Sequence, residues 1–295
     1  MAWFSIRLSL PAARIEAFSD VLLELGAESV AVRDAGDEPV LEPGPGEMPL
    51  WPHAELDALF PLDTDVATVR ARLGAELGDS RERAMLDVRF VEDADWSHTW
   101  RNHAVAHCFG GRLWVLPCDA PQPAGDAAVL RIDPGLAFGT GGHATTALCL
   151  EWLAQQQIDG WSVVDYGAGS GILGIAALLL GAAHVVAVDH DPQACLATRA
   201  NATYNGFASQ RMTIIAPDGL VTTAHDLVLA NILAGPLMTL APALTQLVRP
   251  GGALVMSGML DHQLEAVVAH YAGFRFEPAQ VRDSWAMVKG IRLRG

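Results

Sequence analysis

Three glycines at alternate positions, Gly167, Gly169 and Gly171, follow the apolar run Val163-Val-Asp-Tyr166 and precede Ile172-Leu173. A strand that runs into such a turn and then into a helix brings backbone close to a ligand, because glycine has no Cβ in the way. A dinucleotide fingerprint needs Gly-x-Gly-x-x-Gly, and its third glycine would fall here on Ile172. That mismatch, with Asp165 just before the turn, points away from NAD and toward S-adenosylmethionine, with Gly167 and Gly169 as cofactor contacts. Taken alone, the glycines also fit an ordinary strand-to-helix turn.

A second acid follows at the interval of one strand–helix–strand unit. Val185-Val-Ala-Val-Asp189-His-Asp-Pro192 places Asp189 at the end of the next strand, where a carboxylate can accept from both ribose hydroxyls. Asp191 before Pro192 has the pattern of a helix cap and first-turn residue, so Asp191 is structural and Asp189 functional. His190 reads as a partly exposed loop residue, with a place along the adenine as the alternative. Asp218 in Pro217-Asp-Gly219 either accepts from the adenine amino group or is an acidic turn residue.

The fourth strand ends at Asp226-Leu-Val-Leu-Ala-Asn231-Ile-Leu-Ala-Gly-Pro236. Ligands in a doubly wound sheet sit beyond the carboxyl ends of the strands, which puts Asn231 at the mouth of the site. Its side-chain oxygen and a nearby carbonyl can both accept from an amine N–H and so aim the nitrogen lone pair at a sulfonium methyl. The segment resembles the Asn-Pro-Pro-Tyr site of methyltransferases acting on amide or amino nitrogen, with Ile232 and Leu233 in place of the prolines. A cap on the helix near Pro236 is the competing role for Asn231. Such chemistry asks mainly for positioning, worth roughly 7–11 kcal/mol, and for desolvation that helps a lysine lose its proton. No general base stands out.

These residues need a scaffold, and the chain has the means to build one. It has 295 residues, 51% hydrophobic and 18% charged, enough for large buried cores and about two domains. From 129 to 295, apolar strands alternate with helices. Strands are expected at 162–165, 184–189, 212–215, 226–230, 253–257, 275–277 and 285–291, and helices at 172–180, 192–204, 236–247 and 261–272. That order implies an α/β, Rossmann-like, doubly wound and mostly parallel sheet. Residues 1–93 read as a smaller α+β domain with a ferredoxin-like βαββαβ order: strands at 3–10, 29–32, 39–41, 57–62 and 85–91, and helices at 13–25 and 65–77. Residues 94–128 read as a linker, with a helical Trp96…Trp100 face, a strand at 112–116 and a Pro- and Ala-rich loop at 119–126.

The net charge, 19 − 34 = −15, argues against direct reading of nucleic acid and suits a basic partner, although it also serves solubility. Cys108, Cys118, Cys149 and Cys195 form no Cys-x-x-Cys pair, and the histidines at 98, 103, 107 and 143 match no zinc spacing, so no metal is expected. No secretory signal or membrane span is read, so a cytoplasmic protein is expected.

Before the core stands Ile132-Asp-Pro-Gly135-Leu-Ala-Phe138-Gly-Thr-Gly141-Gly-His143-Ala-Thr-Thr146, a glycine-rich loop that runs into a helix near Thr145 and lacks the Gly-Lys-Ser/Thr of a phosphate loop. Together with Asp165–Leu173, Asp189–Pro192, Ala230-Asn-Ile-Leu-Ala234, Gly251-Gly-Ala-Leu-Val-Met-Ser-Gly258, the two tryptophans, Arg112-Leu-Trp and the Phe60 region, it resembles the ribosomal protein L11 methyltransferases over nearly the full length. The resemblance implies a small substrate-recruiting domain, a linker and a class I methyltransferase domain. It implies transfer from S-adenosylmethionine to the α-amine and lysine ε-amines of one basic ribosomal protein, by a monomer. It places cofactor contacts on Thr146, Gly167, Asp189 and Asn231, with Phe138 in the loop as a further one. Gly142 and Ala144 depart from the usual Thr and Pro and loosen the loop, and Ala168 replaces a common Cys. Rival readings are a methyltransferase acting on another nitrogen, a dinucleotide oxidoreductase, which the glycine spacing disfavours, and a non-catalytic binding module.

Overall fold

Alternation writes the first unit. In β1 (Trp3–Pro11), Phe4, Ile6, Leu8 and Leu10 are buried, and in β3 (His53–Pro61), Ala54, Leu56, Ala58 and Phe60 are buried. The two strands pair antiparallel with Phe4 opposite Phe60, and the two rings stack at 5.2 Å. Between them in sequence come α1 (Ala12–Glu24) and β2 (Ser29–Asp34). After them come α2 (Val66–Leu77) and β4 (Asp87–Val91). The antiparallel order is β2-β3-β1-β4, the βαββαβ arrangement expected. Ile15, Phe18 and Leu22 of α1 and Val69, Leu73 and Leu77 of α2 close one face of the sheet. Asp65 caps α2, accepting from the Ala67 N–H at 3.0 Å and the Thr68 hydroxyl at 2.6 Å.

This computed structural model describes residues 3–35, 53–77, 87–91, 106–133, 141–207, 209–221 and 223–294. The expected strand at 39–41, the paired tryptophans Trp96 and Trp100 and the loop residue Phe138 lie outside them. The chain divides into two compact units, Met1–Asp95 and Trp96–Gly295.

In the second unit, β5 (His107–Phe109), β6 (Leu113–Pro117) and β7 (Ala128–Ile132) form a three-stranded sheet. Then come α3 (Ala144–Ala154), β8 (Ser162–Tyr166), α4 (Ile172–Leu179), β9 (His184–Val188), α5 (Pro192–Tyr204), β10 (Met212–Ile215), β11 (His225–Asn231), α6 (Ala234–Thr239), α7 (Ala241–Leu247), β12 (Val248–Leu260), α8 (Leu264–Val268), β13 (Phe274–Phe276), β14 (Gln280–Arg282) and β15 (Trp285–Arg292). The main sheet runs β10-β9-β8-β11-β12-β15-β13, with β14 beside β15. The first five of these strands are parallel and β15 is antiparallel to both neighbours. One face is buried with residues of α3, α4 and the small sheet, and the other with residues of α6, α7 and α8. The expected mostly parallel α/β sheet is therefore present, and its strand order reverses between β8 and β11, where ligands bind in such sheets.

Several expected boundaries differ, each for a physical reason. His53 and Glu55 interrupt the apolar pattern before residue 57, yet β3 begins at His53, with Glu55 and Asp57 both inside it. Their side chains point off the core face, and Asp57 pairs with Arg7 at 3.1 Å and Arg33 at 3.5 Å. The helix expected over 236–247 is two helices that meet at Leu240, because Pro242 in the first turn of α7 cannot donate a backbone hydrogen bond. The helix expected over 261–272 shrinks to a short turn and α8. Tyr271 is instead drawn into the core, where its hydroxyl donates to the Leu237 carbonyl at 2.7 Å. The described part of the expected linker, 106–128, is folded: Phe109, Leu113 and Val115 belong to the same core as α3 and α4.

Candidate active site

The glycine turn between β8 and α4 is left-handed at every glycine, with φ of 76°, 55° and 80° at Gly167, Gly169 and Gly171. Only glycine takes this conformation cheaply. A Cβ on Gly167 would stand 2.3 Å from Ile232 Cγ2, and one on Gly171 would stand 2.8 Å from Thr198 Cγ2. The turn is thus fitted between β11 and α5. From α5, the Thr198 hydroxyl donates to the Gly169 carbonyl at 2.9 Å and the Asn201 amide donates to the Ser170 carbonyl at 2.9 Å.

Asn201 also accepts from the Asp133 N–H at 3.1 Å, and Asn205, one turn on, accepts from the Arg131 N–H at 2.8 Å and donates to the Arg131 carbonyl at 2.7 Å. Helix α5 therefore fastens the glycine turn to the end of β7. The sequence reading did not single out these two asparagines. Amides at i, i+4 in a helix are a visible sign, but their partners lie 68 and 74 residues away.

Asp189 follows β9 with a side chain only 10% exposed. Its Oδ2 accepts from the Gly169 N–H at 2.8 Å and its Oδ1 from the Asp191 N–H at 3.0 Å. Each carboxylate oxygen has a second lone pair, so Asp189 braces the turn and still has acceptor capacity for two hydroxyls. Asp191 accepts from the Gln193 N–H at 2.8 Å ahead of Pro192, the cap that its position suggested.

Asn231 ends β11, and its Nδ2 donates to the Thr146 hydroxyl at 3.2 Å. Among the described residues no donor is bonded to its Oδ1. It does not cap α6: that helix starts at Ala234 after Leu233, with no side-chain cap. Thr146 is buried in the first turn of α3. His143 caps that helix, its Nδ1 3.4 Å from the Thr145 N and 2.8 Å from the Thr145 hydroxyl, with the ring edge-on to Trp285 at 5.1 Å.

Thr146, Gly167, Gly169, Asp189 and Asn231 line one cavity of about 180 Å³, together with Asp165 and Ile232. It adjoins, through Gly167, Asp189, His190 and Ile232, a larger apolar pocket of about 530 Å³ with Tyr166, Val188, Pro217, Leu233, Pro236 and Leu240. Asp218 is exposed on the turn after β10 and lines neither of the two. Asp165, which in the sequence points toward S-adenosylmethionine but carries no assigned contact of its own, is 1% exposed and forms part of the smaller cavity. Burial, with Asp189 nearby, pushes its carboxyl up to about 7 although the Gly174 N–H at 2.8 Å favours the charged form. A small chamber that sets two carboxylates and an amide among apolar walls, and opens into a larger apolar slot, suits a ligand with a cationic end, hydroxyls and a flat aromatic end. Among the described residues no group of three or more His, Cys, Asp or Glu is placed to hold a metal, and no helix is long and apolar enough to cross a membrane.

Comparison with known proteins points the same way. The sequence profile of the family described as ribosomal protein L11 methyltransferase (PrmA) matches residues 2–292. A protein of that name from Pseudomonas putida (strain GB-1) is 47% identical over 297 residues, covering 99% of this chain and 100% of that protein. One from Methylococcus capsulatus is 48% identical over 292 residues, covering 98% and 99%. Among solved structures, the ribosomal protein L11 methylase from Lactobacillus delbrueckii subsp. bulgaricus superimposes with a TM-score of 0.59 at 31% identity, covering 64% of this chain and 99% of that one.

Proposed function

The chain belongs to the ribosomal protein L11 methyltransferase family, and on that premise we propose that it moves methyl groups from S-adenosylmethionine to the N-terminal α-amine and lysine ε-amines of large-subunit ribosomal protein L11. The observation that carries the reading is the meeting, in one cavity, of the glycine turn, Asp189 and an asparagine whose oxygen has no donor among the described residues. Bound there, S-adenosylmethionine supplies an electrophilic sulfonium methyl. The chain's own part is to hold and to exclude water. The left-handed turn at Gly167 and Gly169 lets backbone lie against the cofactor, and Asp189 accepts from the ribose hydroxyls. Pro217 and His190 border the slot for the adenine, and the exposed Asp218, next to Pro217 in sequence, is the candidate acceptor for its amino group. Phe138 is a further cofactor contact that the family resemblance implies. Thr146 orients the Asn231 amide so that Oδ1 accepts from the acceptor amine and fixes its lone pair, while exclusion of water from the site favours the unprotonated amine.

The test is transfer of label from methyl-labelled S-adenosylmethionine to purified ribosomal protein L11, read with an Asn231 variant alongside. Label on the ribosomal protein supports the reading, and cofactor binding without label would redirect it to another nitrogen. The chain itself offers little background. Its one lysine, Lys289, is 2.8 Å from Glu277 Oε1, with its ammonium 5.9 Å from the Trp152 ring.

Residues 1–93 recruit the substrate and 129–295 carry the chemistry, while 94–128, whose described part packs in the core of the second unit, connects them in sequence, in a cytoplasmic monomer. Each unit has its own core. Removal of residues 1–93 is therefore expected to leave cofactor binding within about twofold, by calorimetry, and to abolish label transfer to L11. Unchanged transfer would refute the recruiting role.

The net charge of −15 faces a basic substrate. Such a pair associates faster at low ionic strength. Raising salt from about 50 to 500 mM is expected to lower kcat/KM for L11 several-fold through KM, with kcat nearly constant. A salt-independent kcat/KM would count against charge steering.

A further inference from the structure

Asp165 is a buried carboxyl with a single bond to satisfy it. It sits on β8 between Leu229 and Ala187 of the flanking strands, 1% exposed, and is among the residues that line the smaller cavity. Among the described residues the one donor to its carboxyl is the Gly174 N–H, 2.8 Å from Oδ2. A buried ionised carboxylate normally accepts two or three bonds or pairs with a cation, and the described residues supply neither. The titratable groups that face it are Cys149 from α3 and Asp189 from the end of β9, while α4 offers backbone alone. The Cys149 thiol is pushed up to about 12 by burial and by Asp165 itself, so it stays neutral. Asp189 is a like charge.

Resting on the methyltransferase reading of the cavity, we propose that Asp165 is the residue that distinguishes the positively charged methyl donor from its neutral demethylated product. S-adenosylmethionine and S-adenosylhomocysteine share the ammonium, the carboxylate and the adenosine, and differ by one methyl and one positive charge. An ionised Asp165 attracts that extra charge within a site of low effective dielectric. A protonated Asp165 does not. After transfer the positive charge leaves with the methylated amine, and Asp165 faces a neutral thioether. Its anion is then stranded, and the product is held less tightly.

The sign of the pH dependence follows. In the free protein Asp165 is protonated below about pH 7 and ionised above it, because burial raises the carboxyl. The donor's advantage over the product therefore grows as pH rises through 7 and shrinks below it.

Calorimetry on the full-length protein tests this with S-adenosylmethionine, S-adenosylhomocysteine and sinefungin, which carries an ammonium-bearing carbon in place of the sulfonium. The ratio of product Kd to donor Kd is expected to rise roughly tenfold between pH 6 and pH 8.5, with sinefungin tracking the donor. In Asp165→Asn and Asp165→Ser the ratio is expected to be lower at pH 8.5 and to vary only as the ligands themselves titrate. A ratio that stays flat in the wild type, or that varies equally in the variants, overturns the inference. If the wild type bound none of the three ligands, the methyltransferase reading would fall as well, so the two failures are distinguishable.

Discussion

Asn231→Ala is expected to lower kcat for L11 methylation about 10²–10³-fold while changing the Kd for S-adenosylmethionine only a few-fold. The size is that of removing one pre-positioned polar contact at a reacting centre. The split follows from the geometry. The Asn231 oxygen is the group left without a donor, while the turn at Gly167 and Gly169 and the Asp189 carboxylate remain to hold the cofactor. Thr146→Val separates orientation from presence: it removes the oxygen that accepts from Asn231 Nδ2 and leaves the amide in place. A smaller loss, roughly tenfold, is expected, because the amide can then rotate. Single-turnover label transfer and calorimetry on the same preparations decide it. An Asn231→Ala enzyme with wild-type kcat would remove Asn231 from the acceptor site.

The sequence carried this site unevenly, and the physical reasons differ by residue. The convergence of Gly167, Gly169 and Asp189 on one cavity was legible because strand–turn–helix units put their turn residues at fixed offsets from apolar runs. The runs Val163–Val164 and Val185–Val188 lead directly into those turns. Asn231 was legible for the same reason at β11. Asp165 was not, because an acid before a glycine turn looks like turn chemistry until its burial is known. Asn201 and Asn205 were hidden because their partners are remote in sequence. The sheet itself was readable wherever both faces are covered and the strand is a continuous apolar run. It was less readable at the edges: β5, β7 and β14 are three to five residues long, and β14 is exposed throughout. Helix breaks such as that at Pro242 were in plain sight as a proline within an apolar pattern, but tertiary packing on both sides had to be seen before one helix became two.

Gly167→Ala is expected to be the most damaging single methyl group that can be added to the site. Two independent costs meet there. The φ of 76° is strained for any residue with a Cβ, by roughly 1–2 kcal/mol. The new Cβ would also lie 2.3 Å from Ile232 Cγ2, so either the turn or Ile232 must move. Ile232 directly follows Asn231 and its N–H is bonded to the Ser257 carbonyl at 3.1 Å, so a shift there reaches the acceptor residue. Gly206→Ala serves as the control, with a φ of 79° and nothing within 4 Å of its Cβ. Gly206→Ala should show the backbone cost alone, about 1 kcal/mol by denaturant unfolding. Gly167→Ala should lose about 2–4 kcal/mol and at least tenfold in cofactor affinity, since its methyl group stands where both cavities meet. Adding Ile232→Ala relieves the contact but not the dihedral strain, so the double variant should recover stability to near the Gly206→Ala level, less the loss of the isoleucine's own packing. If Gly167→Ala were no worse than Gly206→Ala, the close fit of the turn against β11 would not be what positions Asn231 beside the cofactor.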